Sequence, residues 1–441
     1  MYVRLSTRNH QYWKKRNIPY VKPIPLFGCL LETFRKSLHI IEVERYKKYG
    51  AVYGHYEGTY PVISIADPTL LKKIFVKDFH AFTCRRTFET GEPVMDKNVS
   101  IVKGEDWKRI RSIITPTFTS GRLKRMMSIF KECSQVCVNN FMKYAESGEP
   151  INLKTYFEAF TMDVIASAAF STKIDSINDP KNKFVGAARD LFKNVRNDFL
   201  QLLLDTAKEV QDQESQETSD DLTAISNIEV VAQCVTFFVA GFDATASTLS
   251  FAFYLLALNK DVQEKLIAEI DEVLKSEGGK LNYEAIQSMK YLDNVISETL
   301  RLYPPAVRIE RVADEDYDLG YKGIKIPKGM LVSIPVFAIH NDPKYYPDPE
   351  KFDPDRFSPE ERAKRDQLIF MPFGFGPRNC IGMRFVLMQI KVCLAFLLSN
   401  FRFKRCAQTR VPMEFLAAQF LLQPKDIMIK LEIRKDGLKS S

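Results

Sequence analysis

The sequence predicts a mainly α fold with a small β portion. Two patterns point that way: apolar residues recur every three or four positions through most of the chain, whereas β-type alternation is confined to two short stretches. Of the 441 residues, 45% are hydrophobic and 27% charged, which excludes a disordered chain. No internal repeat or clean boundary divides it, so residues 1–441 are expected to form one domain.

Residues 1–25 make a basic, aromatic and then proline-punctuated lead-in. It lacks an apolar run long enough for a signal peptide or spanning helix, so any membrane attachment is expected to be peripheral. AVYGHYEGTYPVISIA, residues 51–66, predicts a hairpin around a glycine-containing turn. Helical spacing follows in DPTLLKKIFVKDF, EDWKRIRSIITPTF, GRLKRMMSIFKECSQVCVNNFMKYAES and LKTYFEAFTMDVIASAAF. Cys133 and Cys137 lie on one of these helices as core thiols. EVQDQESQETSDD, residues 209–221, reads as a polar, acidic loop.

Ser226 and Glu229 form a capping box that opens a long helix, apolar almost all round. Gln233, Asp243 and several hydroxyl residues interrupt it, which favours a buried central helix over a membrane span. Two more helices follow, DVQEKLIAEIDEVLKSEG and MKYLDNVISETLRLYPP, then β-like segments from Tyr317 to Ile334 and a loop rich in Pro and Asp. The chain then reaches FGFGPRNCIG, residues 373–382, and a last helix, MRFVLMQIKVCLAFLLSNF.

The net charge of +8 favours an acidic partner or an anionic membrane surface and is too mild for nucleic-acid binding. Eight scattered cysteines suit a reducing compartment. His10, His39, His55, His80 and His340 lie far apart, and no Cys/His spacing suits zinc.

In the cysteine loop, Gly374, Gly376 and Gly382 permit backbone conformations closed to other residues, bringing N–H groups around the Cys380 sulfur. The following helix points its positive end at that sulfur. Such a thiolate-stabilising cradle serves a nucleophile or a metal, but a nucleophile needs a nearby base and none of the histidines is marked for that role. A single thiolate without partner ligands suits the proximal ligand of a haem iron.

FGFGPRNCIG matches the signature F-x-x-G-x-R-x-C-x-G at Phe373, Gly376, Arg378, Cys380 and Gly382, and the chain thereby resembles the haem-thiolate monooxygenases, the cytochromes P-450. SETLRL supplies the family's E-x-x-R pair at Glu298 and Arg301, PDRF its downstream arginine at Arg356, and AGFDAT resembles its oxygen-binding helix motif at Ala240 to Thr245. The resemblance implies the cytochrome P-450 fold and haem b (iron protoporphyrin IX) with the Cys380 thiolate as axial ligand. It places Phe373, Gly382, Ala240 and Gly241 against the haem and makes Glu298, Arg301 and Arg356 a structural triad. It assigns the propionates to Trp107, Arg111, Arg85, Arg311 and Arg378; for Arg85 and Arg311 a surface position is an equal alternative.

The implied reaction inserts one oxygen atom of O2 into a lipophilic substrate (xenobiotic, steroid or lipid), with Asp243 and Thr245 as catalytic residues. Electrons would come from NADPH through cytochrome P-450 reductase, with cytochrome b5 as a second candidate donor. VYGHYEG, ADPTLLKKIFVKDFHAFTCRR and WKRIRSIITPTFTSGRLKRM look most like the animal microsomal family 3 branch, which implies the cytoplasmic face of the endoplasmic reticulum membrane. On this likeness substrate contacts come from Phe88 to Val102, Phe238 to Ala244, Ala306 to Arg308 and Phe415 to Leu421. Arg109, Lys364, Arg365 and Arg402 are expected to dock the reductase.

The chain departs from the family in three places. The chain is expected to lack the spanning helix that precedes the lead-in of microsomal relatives, unless its true start lies upstream. The two helices that roof the substrate cavity are expected to be deleted near Phe192 to Arg196. Asp243 is followed by Ala244 where an alcohol is usual, with Thr245 one place later. A helix turns about 100° per residue, so Thr245 stands above Gly241 and not above Ala240. Two alternatives to a working monooxygenase stay open: a haem-binding but catalytically impaired form, and a haem-thiolate isomerase that needs no reductase.

Overall fold

In the computed structural model, residues 7–87, 91–170, 172–179, 182, 186, 225–416 and 421–437 are described. The acidic loop at 209–221 and the junction near 192–196 lie outside them. The helices that matter to the site are α1 (Leu38–Tyr49), α2 (Gly104–Ile114), α3 (Met127–Ser147), α4 (Leu153–Phe170), α5 (Asn227–Leu258), α6 (Lys260–Ser276), α7 (Lys290–Leu302), α8 (Val336–His340) and α9 (Met383–Asn400).

α5 begins at the capping box: Glu229 N–H donates to Ser226 Oγ, and Ser226 N–H donates to the Glu229 carboxylate at 2.9 Å. Both α5 and α9 are long and apolar enough to cross a membrane. Every residue from Thr245 to Leu256 and from Met388 to Ser399 is nevertheless buried in protein. These are core helices. Phe253 of α5 stacks on Phe157 of α4, with ring centroids 5.2 Å apart, and Phe385 of α9 meets Phe130 of α3 edge-on at 5.2 Å. Full burial of such a ring, as at Phe130, Phe157 and Phe253, contributes about 1.5–3 kcal/mol.

The hairpin forms as expected. Strands β1 (Val52–Glu57) and β2 (Tyr60–Ile65) pair antiparallel. The strand at Leu331–Ile334 joins β2 in parallel, and Ile309–Val312 closes the sheet antiparallel to it. Ile309–Val312 precedes the β-like region read from the sequence, because its two central charges, Glu310 and Arg311, break the apolar alternation. A second sheet of Ile151–Asn152, Met428–Ile433 and Phe401–Arg405 packs beside the helices.

The lead-in is part of the fold. Trp13 is fully buried against β1, its Nε1 donating to His55 O at 3.1 Å. A Cβ on Gly54 would stand 2.4 Å from its ring.

In the cysteine loop the glycines divide. Gly374 and Gly376 have φ of +75° and +74°, and a Cβ on Gly376 would stand 2.1 Å from Phe75 O. Gly382 instead has φ of −82°, and its Cβ would meet nothing nearer than Phe118 Cε1 at 3.9 Å. The expectation of a special backbone therefore fails at Gly382.

Gly376→Ala is expected to destabilise the protein by at least about 2 kcal/mol, combining strained φ with a backbone clash. Gly121→Ala, at a helical position with open space around it, should be neutral or slightly stabilising. Chemical denaturation of both variants checks the contrast.

Candidate functional site

The loop is closed by its own hydrogen bonds. Gly374 N–H donates to Met371 O at 3.0 Å, and Cys380 N–H donates to Phe373 O at 2.8 Å. The backbone N–H groups of Gly382 and Met383, at the start of α9, bond the Cys380 sulfur, and Arg85 and Arg111 act on it through space. Burial outweighs all four, so the thiol's pKa lies above its ordinary value. The N–H groups and arginines thus favour the thiolate, as the sequence reading has it, while burial opposes them. A cation on the sulfur would tip the balance.

Beside the loop, four arginines converge. Arg311 is 1% exposed, so the surface alternative fails for it; Arg85 is partly buried and donates to Arg378 O at 2.5 Å. Arg111 Nη2 donates to Asn379 Oδ1 at 3.0 Å. Burial and the neighbouring Arg85 guanidinium push Arg311 and Arg378 down to about 9, and burial with Arg85 also lowers Arg111. All remain cations at neutral pH. Among the described residues, Arg311 Nε and Nη2 are buried without a hydrogen-bond partner. Arg378 is used differently: it donates to Thr83 O, Val99 O and Val102 O at 2.8–3.1 Å and lies 4.0 Å over the Trp107 ring. Trp107 in turn packs with Val99, Ile110, Phe237 of α5 and Ile381, which joins α2, α5 and the cysteine loop.

On α5, Ala240 is exposed and Gly241 faces α4, where a Cβ would stand 3.1 Å from Ile165 Cδ1. Asp243 accepts from Gln423 Nε2 at 2.9 Å, and burial raises its carboxyl above its ordinary value. Thr245 is fully buried, and its hydroxyl has no hydrogen-bond partner among the described residues.

The structure brings Glu298, Arg301 and Arg356 together. Arg301 Nε and Nη2 donate to the Glu298 carboxylate at 2.6 and 2.8 Å, both side chains fully buried, and Arg356 Nε lies 3.5 Å from Glu298 Oε1.

Other expected residues are engaged elsewhere. Arg308 faces Glu42, Glu57 and Glu310 at 2.6–3.5 Å. Phe415 packs among His39, Phe251 and Tyr303. Phe88 and residues 417–420 lie outside the described residues. Arg109 pairs with Glu229 and Asp106, Lys364 and Arg365 with Glu361, and Arg402 with Glu264 and Asp436. Each of these four cations thus has a carboxylate within ion-pair distance, Lys364 and Arg365 sharing one.

The cytochrome P-450 family model matches residues 18–207 and 193–431, and the chain belongs to the cytochrome P-450 family. It is 38% identical over 488 positions to cytochrome P-450 3A31 of Mesocricetus auratus, with 99% of this chain and 95% of the relative covered. It is 39% identical to cytochrome P-450 3A2 of Rattus norvegicus over 483 positions (97% and 94% covered) and 40% identical to cytochrome P-450 3A5 of Homo sapiens over 489 (98% and 94%). It is therefore a monooxygenase of the animal family 3 branch, and its cofactor is haem with a cysteine thiolate ligand. These alignments are longer than the 441-residue chain, so positions of the relatives stand opposite gaps in it.

The residues present fit that cofactor. A dianionic porphyrin edge would satisfy the unpartnered Arg311 donors and relieve the mutual repulsion of the arginines.

Glu298→Leu leaves Arg301 buried and uncompensated, which is expected to cost about 3–5 kcal/mol. Denaturant titration of the variant, with exposed Glu44→Leu as a control, checks the value.

Proposed function

We propose that Cys380 supplies the thiolate and that the chain oxidises bulky lipophilic compounds with electrons from NADPH delivered by a flavoprotein reductase. One observation carries this reading: Cys380 sits under two backbone N–H groups beside arginines that have no carboxylate partner among the described residues. Bound haem would supply activation of O2 and its insertion into a C–H bond. The protein's part is to bind, orient and move protons. Arg85, Arg111 and Arg311 would hold the propionates, while Trp107 and Arg378 fix the wall behind them. Asp243, raised by burial and steadied by Gln423, would hold a proton at its carboxyl for delivery along α5. Thr245, whose buried hydroxyl is free to donate, would stand in for the alcohol absent at Ala244.

For the reductase, exposed Lys103, Arg122, Arg125 and Arg384 form the basic face, since Arg384 lies in the first turn of α9 and Lys103 follows Val102, which Arg378 holds. Exposed Leu26, Phe27 and Phe34 near Lys22 and Arg35 support peripheral attachment to the endoplasmic reticulum membrane. A second reading, a haem-binding but impaired form lacking its cavity roof, is favoured by the gaps opposite the relatives.

The reduced, carbon monoxide-treated protein should show a strongly red-shifted Soret band that is absent in Cys380→Ala. An unshifted band in the unaltered chain would exclude a thiolate ligand, and a shifted band without NADPH-dependent turnover would support the impaired form. Ala244→Thr should raise product formed per NADPH and lower peroxide release several-fold. Unchanged peroxide release would show that Thr245 already fills the role.

A further inference from the structure

His340, at the end of α8, is fully buried and belongs to no motif in the sequence. Its carbonyl accepts from Arg301 Nη1 at 2.9 Å, and its Nε2 accepts the Met371 N–H at 3.0 Å. Its ring stacks on Phe370, with centroids 5.4 Å apart and planes 28° from parallel. With Nε2 as acceptor, the proton of the neutral ring sits on Nδ1. Burial and the Arg301 guanidinium push the imidazole pKa down to about 3, so the acceptor persists through the physiological range.

From Met371 the connection runs on: Met371 O takes the Gly374 N–H, and Phe373 O takes the Cys380 N–H. An unbroken path of hydrogen bonds and covalent bonds thus leads from Glu298 through Arg301 and His340 to the cysteine. We propose that His340 is a positioning residue whose Nε2 transmits the rigidity of the buried Glu298–Arg301 pair to the loop and so fixes the pose of Cys380. This rests on the reading of Cys380 as the thiolate ligand.

Two substitutions separate the acceptor from the packing. His340→Phe keeps a ring against Phe370 but leaves the buried Met371 N–H without an acceptor; His340→Gln restores a carbonyl near the position of Nε2. In the haem-loaded protein, conversion of the red-shifted carbon monoxide band to the unshifted band is followed at fixed low denaturant, with haem content measured in parallel. His340→Phe should convert at least about fivefold faster at unchanged initial haem content, and His340→Gln should return to within about twofold of the unaltered chain. Equal rates in all three proteins, or equal acceleration in both variants, would overturn the acceptor role. Absence of the red-shifted band from the unaltered chain would overturn the thiolate reading itself, and this proposal with it. Should His340→Phe fail to fold, His340→Asn, whose carbonyl is too short to reach, takes its place, with Met371 amide exchange as the readout. Faster exchange than in His340→Gln supports the proposal, and equal exchange refutes it.

Discussion

The buried Glu298–Arg301 pair is the constraint on which the cysteine side of the molecule depends. Removing two charges from water costs several kcal/mol per ion, and only near-complete hydrogen bonding repays it. Here the repayment is spread over distant segments. Arg301 donates to His340 O, Pro349 O and Lys351 O besides the carboxylate, and Glu298 Oε1 accepts the Asp353 N–H at 3.0 Å. Parts of the chain with little regular structure are thereby held to α7. Such a pair adds little net stability over apolar packing, but it admits few alternative arrangements, which is what a loop that must present one sulfur requires.

The opposite arrangement surrounds the proposed cofactor edge. Residues extend from strands to alternate faces, and the chain uses this at Glu310 and Arg311. Glu310 points outward to Arg86 and Arg308, where Glu57 and Glu42 bring the carboxylates to three against two guanidiniums, while Arg311 points inward with two donors that have no partner among the described residues. Arg85 and Arg86 divide in the same way. An outer layer in which each cation meets carboxylates thus backs an inner layer of cations without them among the described residues. The desolvation of those cations is met during folding, so a dianion arrives at a site already arranged for it.

Much of this was legible in the sequence because it lies in local pattern. The capping box at Ser226, the hairpin, the spacing of Glu298 and Arg301 and the positive φ of Gly374 and Gly376 each follow from residues a few positions apart. What could not be read depends on partners far along the chain. Arg308 and Arg402 look like free cations until Glu57 and Glu264 are brought to them by the fold. Trp13 looks like a lead-in aromatic until Gly54 makes room for it. His340 carries no local signal, since its carbonyl and its Nε2 accept from Arg301 and Met371, 39 and 31 residues away. The net charge on the Cys380 sulfur also escapes pattern reading, because burial opposes the N–H groups and arginines and the winner depends on depth.

The polar interruptions of α5 have a purpose beyond arguing against a membrane span. Gln233 Oε1 accepts the Val99 N–H at 2.8 Å, and its Nε2 donates to Lys97 O at 3.0 Å. From the other side Arg378 donates to Val99 O and Val102 O. The segment 97–102 is therefore strapped to the central helix by one side chain and to the cysteine loop by another. Phe237 and Trp107 close the same joint with apolar contact, and Arg109 ties α2 to Glu229 near the start of α5. The separation of α5 from Cys380, the dimension that any planar cofactor between them must match, is thus set by a polar spacer. Apolar contact alone would leave that separation free to relax, because hydrophobic packing is non-directional, whereas hydrogen bonds to successive backbone groups fix both distance and register.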